Sequence, residues 1–107
     1  MNTLNITYKG QGSEKQVAWA TDIFNAKMSS LKADYEAALN RVARGNMPES
    51  FKAAWELVLN DERAVKFVEM VASTDAKTII DFKGNVGNKC FATIINTLVN
   101  HEYSKAV

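Results

Sequence analysis

From Ser13 to Arg44 the chain carries neither proline nor glycine, and apolar residues recur at steps of three and four: Val17, Ala20, Phe24, Met28, Leu31, Tyr35, Ala38 and Val42. That spacing lines one face of an α-helix. Ser13 and Gln16 stand in the Ser-x-x-Gln form of a capping box, which satisfies two orphan amides at a helix start, and Gly45 suits a helix stop. One helix over 13–44 would be about 48 Å long, against a radius of gyration near 13 Å for a 100-residue domain. Such a helix must protrude, bend or find a partner. A coiled-coil homodimer is one way to cover it, and packing against the rest of this chain is the other.

Ahead of this helix, Leu4, Ile6 and Tyr8 alternate with Asn5, Thr7 and Lys9 before Gly10-Gln11-Gly12. The period of two predicts a short strand within residues 1–12. A strand needs a partner for its backbone groups, in this chain, in a second subunit or in a target; without one the segment is an extended arm.

Beyond Gly45, Pro48 suits the first turn of a second helix, and the short connection makes that helix antiparallel to the first. Phe51, Ala54, Trp55, Val58 and Leu59 give it one apolar face. Asn60-Asp61 can interrupt or re-cap the chain before Ala64, Val65, Phe67, Val68 and Val71, which gives two short helices or one bent helix, and Ser73-Thr74-Asp75 offers a cap for a further segment from Ala76 to Phe82. Residues 83–89 are dense in turn formers. Phe91, Ile94, Ile95, Leu98 and Val99 then predict a last helix over about 89–102, fraying from Tyr103. The fold class is mainly α, in one domain over 1–107: an arm or strand (1–12), a long helix (13–44) and three or four shorter helices (46–107).

A chain of 107 residues with 47% apolar residues and a net charge of +1 has the composition of an ordinary globular domain. At this size it buries roughly two thirds of its unfolded surface, enough for a core without disulfides or a structural metal. The near-neutral balance argues against a dedicated nucleic-acid binder, whose domain is typically basic. No segment approaches the ~18 uninterrupted apolar residues of a membrane span, and the amino terminus lacks the pattern of a secretion signal. One cysteine, Cys90, and one histidine, His101, form neither a disulfide framework nor a zinc cluster, and the expected setting is a reducing cytoplasm. Neither has a visible base or nucleophile partner, so no catalytic residue, metal ligand or cofactor is assigned.

Two local surfaces stand out. The segment Lys83-Gly84-Asn85-Val86-Gly87-Asn88-Lys89 has the Gly-x-x-Gly spacing that lets backbone amides approach a phosphate. Lys83, Asn85, Asn88 and Lys89, with Arg41, Arg44 and Lys52, form the candidate patch for nucleic acid or another anion. Trp19 lies one residue off the apolar stripe of the long helix, where it either widens that face or serves as an anchor for a partner.

The segments Gly12-Ser13-Glu14-Lys15-Gln16-Val17-Ala18-Trp19-Ala20 and Thr74-Asp75-Ala76-Lys77-Thr78-Ile79-Ile80-Asp81 together resemble a group of small proteins on phages, plasmids and other bacterial mobile elements. These open with a GSEKQ-x-AWA segment and later carry TDAK-x-x-ID. The resemblance covers under a fifth of the chain, and the order of the two segments also agrees. It implies a non-enzymatic interaction protein, an inhibitor of a host defence system such as an anti-CRISPR protein, acting in the bacterial cytoplasm on a host protein or ribonucleoprotein complex. Its matched positions, Glu14, Lys15, Gln16, Trp19, Asp75, Lys77 and Asp81, are the candidate protein-binding residues. A nucleic-acid-binding accessory protein using the basic patch is the alternative.

Overall fold

The long helix, α1, runs unbroken over Glu14–Ala43. Its capping box is formed from both sides: the Gln16 amide donates to Ser13 Oγ at 3.2 Å and the Ser13 amide to Gln16 Oε1 at 3.1 Å. The stop is a Schellman motif. Gly45 adopts φ +78°, its amide donates to the Val42 carbonyl, and the Asn46 amide donates to the Arg41 carbonyl at 2.9 Å. A side chain is disfavoured at that φ, so glycine is the residue the turn requires.

The computed structural model describes residues 2–81 and 90–106. After α1 come α2 (Glu49–Leu59), α3 (Glu62–Ala72), α4 (Ala76–Asp81) and α5 (Cys90–Ala106). Pro48 is the N-cap of α2, one position ahead of its first turn. Asp61 caps α3 by accepting from the Arg63 amide at 2.8 Å. Asp75 precedes α4, accepting from the Thr78 amide at 3.0 Å and from its hydroxyl at 2.7 Å.

The molecule measures 47 × 24 × 22 Å, so α1, about 45 Å long by helical rise, spans its whole length and does not protrude. The other elements cover its stripe in sequence. Tyr8 of the arm packs its ring 5.9 Å from that of Phe24, α4 lies against the first turns, Asn96 of α5 meets Asp34, and Trp55 of α2 stacks 5.7 Å from Tyr35. Helix α2 runs antiparallel to α1, and α5 runs parallel to it. The core collects Phe24 and Leu31 from α1, Trp55, Val58 and Leu59 from α2, Val68 from α3, and Ile95 and Val99 from α5, all essentially removed from water.

Two expectations are corrected. The alternation of Leu4, Ile6 and Tyr8 does set which side chains turn inward, but the segment is no strand: Thr3–Asn5 is a 3-10 turn and the rest of the arm carries no regular secondary structure, with no strand among the described residues. Its backbone groups are taken by helix ends instead. The last helix also runs past Tyr103 to Ala106, because the Tyr103 ring packs edge-on against Phe51 at 5.3 Å and holds the final turns down.

Candidate interaction surfaces

The segments 12–20 and 74–81 lie 54 positions or more apart in the chain and meet at one end of the molecule. The Ala76 amide, at the start of α4, donates to the Gln11 carbonyl at 2.8 Å. Alongside it, the Tyr8 hydroxyl donates to the Thr74 carbonyl at 2.6 Å. Burial pushes the Tyr8 phenol above its ordinary pKa, and the charge of Asp75 adds to the effect. Gly10 sits so close to this junction that a Cβ there would fall 2.0 Å from the Thr74 carbonyl oxygen.

The candidate residues at this end divide by what their side chains do. Gln16 is held in the capping box. Asp75 is held by Thr78, whose hydroxyl and amide keep the carboxyl below the usual carboxylate range. Lys77 and Asp81 pair with each other at 2.7 Å, one turn apart on α4, and that bond raises the Lys77 pKa. Glu14, Lys15 and Trp19 face outward, Trp19 with 49% of its surface exposed. Lys15, Trp19 and Asp22 follow each other at steps of four and three on the solvent side of α1. Trp19 is thus an exposed aromatic side chain with a cation and an anion one helical turn to either side.

At the opposite end, Arg41 and Arg44 close α1 and Lys52 opens α2. The Arg41 guanidinium lies 5.7 Å above the Phe51 ring, and Lys52 reaches Glu56 at 3.9 Å. The remaining members of the basic patch, Lys83, Asn85, Asn88 and Lys89, lie outside the described residues. Cys90, where α5 begins, is six residues before Asn96 on a helix parallel to α1, and Arg41 is seven residues beyond the Asp34 that Asn96 meets. Those steps separate Cys90 from the Arg41 level by about 20 Å along the helix axes.

Three features had no place in the sequence reading. A cleft of about 220 Å³ between α1, α2 and α5 is lined by Asp34, Ala37, Ala38, Arg41, Phe51, Trp55 and Asn96. A second groove, of about 280 Å³, runs between α2 and α5 along Ala53, Ala54 and Leu57, with Glu102 and Lys105 at its rim. Lys27 is buried to 4% exposure on the stripe of α1. Its spacing from Phe24, Met28 and Leu31 was the available signal, since all four share one helix face.

His101 is exposed on α5, and among the described residues no three His, Cys, Asp or Glu side chains come together as a metal site would need. Nor is any helix there long and apolar enough to cross a membrane. Comparison with known protein families, curated proteins and solved structures yields no match for the chain.

Proposed function

We propose that the chain is a non-enzymatic interaction protein of a bacterial mobile element, an anti-CRISPR-type inhibitor that works in the host cytoplasm by binding a defence complex and blocking it. The observation that carries this reading is the meeting of the two family-like segments, with α4 packed on α1 and the Gln11–Ala76 bond just ahead of Gly12, while Glu14, Lys15 and Trp19 lie exposed on α1. The structural duties of Gln16, Asp75, Lys77 and Asp81 hold that end in shape, and the outward residues supply the contact. Binding through such a patch depends on a buried aromatic anchor more than on long-range charge, so it tolerates moderate salt.

The test is protection of a targeted phage in bacteria with active CRISPR interference. Expression of the chain restores plaque formation toward the level of an interference-deficient strain, and Trp19→Ala, checked for an unchanged helical spectrum, does not. The tagged chain also captures the purified, nuclease-treated effector complex in stoichiometric amount. Failure to restore plaquing across the CRISPR types tested sinks the proposal. Recovery of nucleic acid alone, with binding that collapses between low and physiological salt, favours the basic patch around Arg41, Arg44 and Lys52 instead.

A further inference from the structure

The cleft between α1, α2 and α5 carries opposite charges at its two ends. Asp34 and Arg41 are seven residues apart on α1, hence on the same face and about 10 Å apart along the axis. Between them the floor is made by Ala37 and Ala38, and the wall by Phe51 and Trp55. Neither charge is spent elsewhere: among the described residues Asp34 and Arg41 form no ion pair. Asp34 is instead oriented by Asn96, whose Nδ2 donates to Oδ2 at 3.1 Å, and Arg41 is steadied over the Phe51 ring at 5.7 Å. The wall also contains an unmet donor. Trp55 Nε1 is buried and, among the described residues, has no acceptor.

We infer that this cleft binds a small zwitterion whose ammonium and carboxylate are separated by an aliphatic stem. The ammonium meets the Asp34 carboxylate, the stem lies along Ala37 and Ala38 against the aromatic wall, and the carboxylate meets the Arg41 guanidinium. A ligand with one charge satisfies one end and leaves the other without its complement. The volume, about 220 Å³, is below the usual range for drug-sized pockets and suits a short amino acid with its amine at the end of the stem rather than a nucleotide. Because both charges are accessible to water, the affinity is weak, with a dissociation constant of about millimolar. The site is independent of the docking surface around Trp19.

The two tryptophans make the test direct, since each indole N–H gives its own NMR signal and Trp19→Phe assigns the pair. The probe is 6-aminohexanoate, titrated into the full chain with hexanoate and hexylamine as single-charge controls. The expected result is a saturable shift of the Trp55 signal, weaker with either control, and an affinity lowered about threefold or more by Asp34→Asn or by Arg41→Met. Asp34→Asn keeps an oxygen for Asn96, so the fold is retained. An unmoved Trp55 signal overturns the inference. A shift of equal size with hexanoate, or one unchanged in both variants, overturns it as well. So does a Trp55 N–H that exchanges readily with water yet ignores the probe, which makes the cleft a hydration site.

Discussion

The Ala76 amide and the Gln11 carbonyl, joined at 2.8 Å, connect the first turn of a helix to an arm that enters the fold 65 residues earlier. Among the described residues the arm makes two more bonds to helix ends, one of them through a side chain. The Thr3 hydroxyl donates to the Leu59 carbonyl at the end of α2, and the Lys9 amide donates to the Ala72 carbonyl at the end of α3. Helix ends leave amides and carbonyls without intrahelical partners, and the arm supplies them at three successive ends. A segment with the alternation of a strand thus does a strand's pairing with helix termini. It also ties α2, α3 and α4 into one frame, in which the segments 12–20 and 74–81 meet.

Removing one of these bonds isolates its contribution. Thr3 is fully buried and its hydroxyl bonds the Leu59 carbonyl at 2.7 Å, so Thr3→Val keeps the shape and strands the acceptor. The expected loss is about 1–3 kcal/mol, with Thr3→Ser retaining most of the stability. Urea unfolding followed by circular dichroism measures both variants, and a Thr3→Val midpoint equal to that of the parent chain would mean that the bond contributes nothing.

The junction beside Gln11 leaves no room for a side chain at Gly10. A Cβ there meets the Thr74 carbonyl oxygen, a backbone atom that cannot swing aside, as well as the Tyr8 hydroxyl bonded to it. Gly10→Ala is therefore expected to destabilise by about 1–3 kcal/mol and to loosen the arm. Hydrogen exchange reads the site directly: the Lys9 and Ala76 amides lose protection together, before those of α1.

What the sequence disclosed follows from the range of the interactions. The capping box of Ser13 and Gln16, the stop at Gly45 and the cap at Asp61 depend on neighbours within a turn or two, and each stands where local chemistry placed it. Local alternation left residues 1–12 open between a strand and an extended arm, because the partners that decide it lie 56–66 positions away, on and beside helix ends that periodicity does not pair. Tyr103 was given a fraying tail for the same reason, its hold being the distant Phe51 ring. Asp34 and Arg41 share a face by spacing alone, yet the cleft exists only once Asn96, 62 positions on, is brought against Asp34. Lys27 was legible from spacing alone, since it falls on the same helix face as Phe24, Met28 and Leu31, and it is buried there.

The two ends of α1 test the local rules separately. Ser13→Ala removes an exposed N-cap and is expected to cost about 1 kcal/mol. Gly45→Ala forces a side chain into φ +78° with open space around it, so strain alone acts, at about 1–2 kcal/mol. The sites are far apart, so the double variant should show the sum of the single losses in urea unfolding, and a departure beyond about 0.5 kcal/mol would reveal coupling through the helix.

Acid should weaken the fold through its two carboxylate caps. The Thr78 hydroxyl and amide hold the Asp75 carboxyl below its ordinary value, and the Arg63 side chain and amide do the same for Asp61. A group depressed in the folded state contributes its stability above its unfolded pKa, about 3.9 for an aspartate, and loses it as pH falls through the folded value. Stability is therefore expected to be flat with respect to these two groups from neutrality down to about pH 5 and to decline below pH 4. Asp75→Asn and Asp61→Asn start lower at neutral pH and decline less, because the amide has no proton to gain. Urea midpoints measured across that range for the parent and both variants give the comparison, and parallel acid limbs in all three would show that neither cap is linked to folding.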